Sequence, residues 1–266
     1  MGSGSPRVTF AGACNRPEFF ERHLASLEAA ADGQVAFECV YVGHVAYPAA
    51  LRGRWPFLRY YQADPAVTPA QCVAWAMAQG TGDLLFAATD DTEWDAGLLV
   101  DLVAAYDAAG DDRAMPSPRY LVEEGGVEQD WTPLLTLCNY AGRDDLPLFP
   151  IDGLISRAFF ERLGGFDRRF VACMEMVDVF QRALVAGGRA VFPGGAMHER
   201  RDWYSPGYAS ICDRNFFQHD RPLLESFWFP DGIASFPIGG GPRVVPLLPY
   251  TAEDLAQIGA QLVRHV

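Results

Sequence analysis

Two adjacent carboxylates, Asp90 and Asp91, close the run DLLFAATDD, whose apolar stretch reads as a β-strand. Such a pair repels itself and loses solvation, so it needs a cation or several donors beside it. A hard divalent ion with few protein ligands and several phosphate or water oxygens meets that need. Turn capping by the two Asp side chains is the plainer account. A second set lies on MEMVDVFQRAL, Met174 to Leu184. At about 100° per residue, Glu175, Asp178 and Arg182 share an arc of about 60°, while Val177, Phe180 and Leu184 fill a separate arc of about the same width. The apolar arc must face the core, leaving two carboxylates and a guanidinium on a polar edge. Asp178 and Arg182 are spaced to pair. Glu175, at the helix start, has no partner nearby in sequence and can act as a general base on a hydroxyl; an ordinary solvated helix face is the simpler alternative. The third set is MHERRDW, Met197 to Trp203, in which His198 can ligate a metal and Arg200 and Arg201 can meet a diphosphate. An exposed loop histidine and solvated charges would look the same. Trp75, Trp94, Trp131 and Trp203 can stack on sugar rings or simply fill a core.

These residues need elements to hold them. Arg7 to Ala13 reads as a short buried strand, and Glu18 to Ala31 as a helix with Phe19, Phe20, His23, Leu24 and Leu27 at helical spacing. Ala36 to Gly43 is a second strand, followed by an irregular arm with a short strand near Leu58. Pro69 to Gln79 reads as a helix, Asp83 to Thr89 as a strand, and Asp95 as the N-cap of a helix stopped by Gly110. This alternation predicts a parallel sheet with helices on both faces. Ligands of such sheets sit at the carboxyl ends of the strands, where Asn15, Gly43, Asp90 and Asp91 fall. Beyond lie predicted strands near Tyr120 and Leu135, a helix over Arg157 to Leu163, the helix from Glu175 to Ala186 and a strand over Arg189 to Phe192. Last comes a helix capped by Thr251 and Asp254 that runs on to Leu262.

The 266 residues are 50% hydrophobic and 21% charged, which marks a globular chain. A net charge of −13 argues against nucleic acid as a partner. All 21 basic residues are Arg, so Schiff-base chemistry, pyridoxal-phosphate catalysis and a Walker-type phosphate loop are excluded. Six scattered cysteines without a CxxC pair read as buried free thiols. No run of about 18 apolar residues exists to span a membrane, and cytoplasmic is the expected location. MGSGSPR has no apolar signal core, and residues 1–6 read as an expression scar.

Taken in order, NRPEFFERHLASL, GDLLFAATDDTEWDAGLL, GLISRAFFERLGGFDRRF, MEMVDVFQRALVAGGRAVF and RNFFQHDRP resemble the family 2 glycosyltransferases of the GT-A fold, over roughly Arg7 to Pro222. The resemblance implies a Rossmann-like, mixed but mostly parallel sheet flanked by helices. It divides the chain into a catalytic domain over 7–222, with a nucleotide-binding half (7–110) and an acceptor half (111–222), and a loop-rich extension with a final helix over 223–266. It further implies transfer of a sugar from a nucleoside-diphosphate donor of UDP, GDP or dTDP type to an acceptor hydroxyl, usually with inversion, with Mn²⁺ or Mg²⁺ as cofactor. On that mapping Asn15, Arg16, Gly43 and Asp90 contact the nucleotide sugar. Asp91 holds the ion with help from His198, and Glu175 or Asp178 is the base. Two positions depart from the family pattern. Gly43 and His44 stand where an Asp usually reads the base, and the family's ED pair is Glu175-Met176 here. An inactive relative that binds sugar nucleotides or glycans, and a retaining transferase, stay open. A sugar nucleotidyltransferase would carry a Gly-rich loop and a Lys after the first strand, and FAGACNRP has neither.

Overall fold

The computed structural model describes residues 7–14, 16–130, 132, 152–200, 215–228 and 243–266. Its main sheet has six strands in the order β12-β3-β2-β1-β4-β9. These are β1 (Val8–Cys14), β2 (Phe37–Gly43), β3 (Leu58–Ala63), β4 (Leu84–Thr89), β9 (Ile155–Ser156) and β12 (Leu262–Arg264). The central four run parallel and the two edge strands antiparallel. The intervening helices are α1 (Pro17–Ala31), α2 (Pro69–Gln79) and α3 (Leu98–Ala109).

Side-chain alternation along the strands makes two cores. Val8, Phe10 and Cys14 of β1 join Leu84, Phe86 and Ala88 of β4 on the face covered by α1 and α3. Ala11 and Leu85 point to the other face, against α2 and α5 (Glu175–Val185). Helix α2 begins as its sequence directs, with Thr68 and Gln71 forming a capping box. The predicted helices and central strands are all present, with ends shifted by a residue or two except at the last helix. The predicted strand near Leu135 lies outside the described residues.

A second sheet, in the order β5-β11-β7-β8, covers the carboxyl end of the first. It contains β5 (Thr92–Trp94), β7 (Arg119–Glu124), β8 (Val127–Asp130) and β11 (Ala196–Arg200). A parallel pair, β6 (Ala114–Pro116) with β10 (Arg189–Val191), joins the sheets, and α4 (Arg157–Arg162) follows β9.

Two boundaries differ from the sequence expectation. Asp95 does not cap α3: Gly97, in the left-handed region at φ 77°, holds that place, and the Asp95 carboxylate instead accepts the Ala196 N–H on β11. The final helix, α7 (Ala252–Gly259), does carry the Thr251–Asp254 capping box, yet it stops before Leu262. Leu262 belongs to β12, which pairs with β3 and so binds the tail into the main sheet. Between them lies α6 (Arg221–Trp228), entered through a π turn over Phe216–Asp220.

Candidate active site

At the carboxyl ends of β1 and β4 a cleft of about 470 Å³ opens toward α2 and the head of α5. Space for it comes from small side chains: Ala13, Ala87 and Ala88 stand where larger residues would fill the layer. Asp90 and Arg16 form one wall, Glu175 and Met176 another, and Tyr120 and Glu199 of the second sheet a third.

The carboxylate pair is buried and bridged by one guanidinium. Arg16, at the entry to α1, donates its backbone N–H to Asp90 Oδ2 at 2.6 Å and its Nη2 to Asp90 Oδ1 at 2.8 Å. The same Nη2 lies 2.9 Å from Asp91 Oδ2. Sequence reasoning asked for a cation beside Asp90 and Asp91, and Arg16 is one. Asp91 Oδ1 is buried without a hydrogen-bond partner. A buried anionic oxygen with nothing to accept is a donor atom for a hard cation. Among the described residues no cluster of three metal-ligating side chains accompanies it.

Glu175 opens α5 after Met174, whose φ of 68° is strained for a residue with a side chain. The carboxyl is 7% exposed and its Oε2 has no partner. Burial pushes its pKa up to about 7 against the pull of its own backbone N–H, and the nearby Asp220 adds to the rise. An acid balanced near neutrality is suited to take a proton from a hydroxyl.

Asp178 is not brought to the cleft. It is fully buried on the far flank of α5, where Arg182 Nε, Trp228 Nε1 and Arg243 Nε donate to it at 3.0, 2.9 and 3.1 Å. The polar edge read from the sequence therefore divides. Its first residue faces the cleft, and the other two anchor α6 and the tail. His198 is also placed elsewhere: its Nδ1 is 2.9 Å from Glu128 and its Nε2 3.1 Å from Asp95. Alternation on β11 sends its neighbour Glu199 into the cleft instead, where Tyr120 donates its hydroxyl to it. Arg200 pairs with Glu93 and Glu123. Gly43 ends β2 away from the cleft lining, closely packed: a Cβ there would fall 2.1 Å from Cys14 O and 2.2 Å from the Tyr60 hydroxyl. Trp75 and Trp94 are core residues. Asn15, Arg201, Trp131 and Trp203 lie outside the described residues. So do Cys138 and Cys212; Cys14, Cys39 and Cys72 are buried free thiols, and Cys173 is partly exposed.

The fold recurs in solved structures. Over 85% of this chain and 50% of the other, it matches the crystal structure of GalNAc-T7 with UDP, GalNAc and Mn²⁺, at a TM-score of 0.56 and 14% identity. It matches S. aureus TarS 1-349 over 86% of this chain and 69% of that one, at a TM-score of 0.55 and 15% identity. The fold is GT-A. The chain spans half the length of GalNAc-T7, and at these identities the likeness is one of fold. No protein-family model and no characterised protein sequence matches the chain. Among the described residues no helix is long and apolar enough to cross a membrane.

Three cleft residues were missed from the sequence: Glu199, Tyr120 and Asp152. Asp152 carries a carboxyl pushed up to about 8 by burial, with the Gly153 N–H as its donor. A lone polar residue opening the apolar run IDGLIS was the available signal. For Glu199 the signal was strand alternation, since adjacent His198 and Glu199 cannot both face one cleft.

Proposed function

We propose that the chain is a glycosyltransferase of family 2 type that passes a sugar from a nucleoside-diphosphate sugar to an acceptor hydroxyl with inversion. One observation carries the reading: Glu175 presents a buried, unpartnered carboxyl oxygen to the cleft that Asp90 and Arg16 also line. In an inverting transfer the acceptor oxygen attacks the anomeric carbon from the side opposite the leaving diphosphate. A base is then needed across the cleft from the diphosphate site. Glu175 takes the acceptor proton, and its own burial makes it a stronger base than an ordinary glutamate.

Asp90 and Arg16 orient the donor, with Arg16 offering positive charge near the diphosphate. Asp91, which does not itself line the cleft but adjoins Asp90, which does, would hold a divalent cation through its unpartnered Oδ1. Such an ion, when bound, neutralises charge on the leaving diphosphate. His198 has no part in holding it. The UDP and Mn²⁺ in the GalNAc-T7 structure make that nucleotide and that ion the first to try.

The test is the melting temperature with UDP, GDP, dTDP and CDP, each with and without Mn²⁺, followed by turnover of the matching sugar nucleotide. A ligand of the native state raises the melting temperature by several degrees at about a hundred times its Kd. A shift for one nucleotide that needs Mn²⁺ and is lost in Asp91→Asn supports the reading. No shift with any nucleotide overturns the donor site. A shift without any turnover leaves a binding module.

A further inference from the structure

The segment RNFFQHDRP has a structural role that the donor and acceptor chemistry does not use up. Its Asp220 ends the π turn before α6 and is fully buried. Oδ1 accepts the Val171 N–H at 3.0 Å, and Oδ2 accepts those of Ala172 and Cys173 at 2.8 and 2.9 Å. Three successive amides converge on one carboxylate, a backbone nest built around an internal anion. From the other side the same turn is tied to α2, where the Ala70 N–H donates to Val171 O at 3.0 Å. The next residue is Met174 in its left-handed conformation, and the one after that is Glu175.

We propose that Asp220 is a positioning residue: it fixes the turn that delivers Glu175 to the cleft and sets the field in which Glu175 works. The inference rests on Glu175 being the carboxyl that activates the acceptor. The geometry explains how a strained Met174 persists. A left-handed, non-glycine residue costs about 1–3 kcal/mol and survives only where its surroundings over-determine it. Three amides held by a buried anion on one side and an α2 contact on the other do that.

Electrostatics point the same way. An acid at a helix N-terminus would ordinarily be favoured in its charged form. Glu175 is nevertheless shifted upward, first by burial and then by the negative charge of Asp220. Tyr250 also faces Glu175, with a buried hydroxyl that has no partner and a pKa raised by burial and by Glu175, and Asp152, Glu199 with Tyr120, and Asp90 with Arg16 line the same cleft. Against Asp220 itself lie the Cys173 thiol, 3.6 Å away, and His219 Nδ1, 2.7 Å from Oδ1. His219 pairs with Asp220 as an ion whenever its ring is protonated.

The experiment is a carboxyl-carbon NMR titration of glutamate-labelled protein, with the Glu175 signal assigned by its disappearance in Glu175→Gln. In the wild type the midpoint is expected near 7. In Asp220→Asn, which removes the charge and keeps an acceptor oxygen, it is expected to fall by more than about 0.3 unit toward the ordinary glutamate range. The UDP-induced rise in melting temperature should stay the same, because Asp220 does not touch the donor wall. A folded Asp220→Asn whose Glu175 midpoint stays within about 0.3 unit of wild type overturns the proposal, since a purely structural residue would lower stability without moving that titration. Should Asp220→Asn fail to fold, Asp220→Ser decides by the same threshold: it too removes the charge and keeps an acceptor oxygen, without the amide N–H groups that would oppose the three donors. Neither readout needs turnover. If no nucleotide binds, the transferase reading falls while the titration still answers whether Asp220 governs Glu175.

Discussion

Helix α5 carries two buried carboxylates three residues apart, and they have opposite surroundings. Asp178 meets three donors, two of them guanidinium groups, in a cluster that also contains Asp167. Asp167 is held down to about 2 by Arg169 and Arg243, despite burial. Glu175 is buried almost as deeply with no cation beside it among the described residues, and its pKa is pushed the other way. Burial alone therefore says little about role. An acid whose lone pairs are all engaged is part of the scaffold, whereas one left unpartnered at a cleft wall imposes a cost on folding. A fold that keeps such a cost at a cleft wall holds a group ready for a ligand.

Removing each acid in turn is the sharpest way to break that contrast. Glu175→Gln should lower kcat by about 10²- to 10⁴-fold, the usual range for loss of a general base. The nucleotide-induced rise in melting temperature should persist, because the donor wall is untouched. A variant that turns over at the wild-type rate would remove Glu175 from the chemistry and leave the contrast without a functional side.

Asp178→Ala should act on stability. Truncation leaves Arg182 and Arg243 buried without their shared anion, and breaking a buried ionic cluster costs about 3–5 kcal/mol. The denaturant midpoint reads this directly. If it stays at the wild-type value, the cluster does not hold α6 and the tail. Whatever protein remains folded should keep the wild-type Glu175 titration, since the two acids face different environments.

A third prediction concerns pH, and its sign follows from the direction of the shift. Glu175 holds its proton more tightly folded, at about 7, than unfolded, at 4.5. Its favourable contribution is thus complete below about 4.5 and is lost as pH rises through 7. Glu175→Gln has no such titration. Relative to wild type, it should gain up to about 3 kcal/mol of stability between pH 5 and pH 8. Parallel pH–stability curves for the two proteins would mean that the carboxyl is better solvated than its burial indicates.

Much of this was legible in the chain, for identifiable reasons. The central strands and flanking helices follow from local periodicity and capping, as with Thr68 and Gln71 at α2, and such signals lie within a dozen residues. Asp90 and Asp91 were readable because a strand end must solvate its charges somehow. The partner was not: Arg16 lies more than seventy positions away, and only the parallel register of β1 with β4 brings them together. The division of the α5 polar edge was equally hidden, since it depends on Trp228 and Arg243 arriving from the tail. The spacing of Leu262 continues that of Leu255 and Ile258 and so predicts helix. Pairing with β3 overrode that local pattern.

The smallest expected effect tests the other place where neighbours separate, His198 and Glu199 on β11. His198 lies on the outer face beside Asp95 and Glu128, both about half exposed. Exposed pairs of this kind contribute about 0–1 kcal/mol. His198→Gln should therefore move the unfolding free energy by less than about 1 kcal/mol and leave any Mn²⁺ requirement for nucleotide binding unchanged. The separation depends on strand alternation, because β11 pairs with β5 so that Glu199 stands opposite Thr92 and His198 opposite Glu93. Loss of the Mn²⁺ effect in His198→Gln would mean that β11 shifts its pairing when the donor binds. A one-residue slip exchanges the faces of every side chain on a strand, so the same slip would withdraw Glu199 from the cleft. Glu199→Gln would then be silent and His198→Gln would not, the reverse of what the present register predicts.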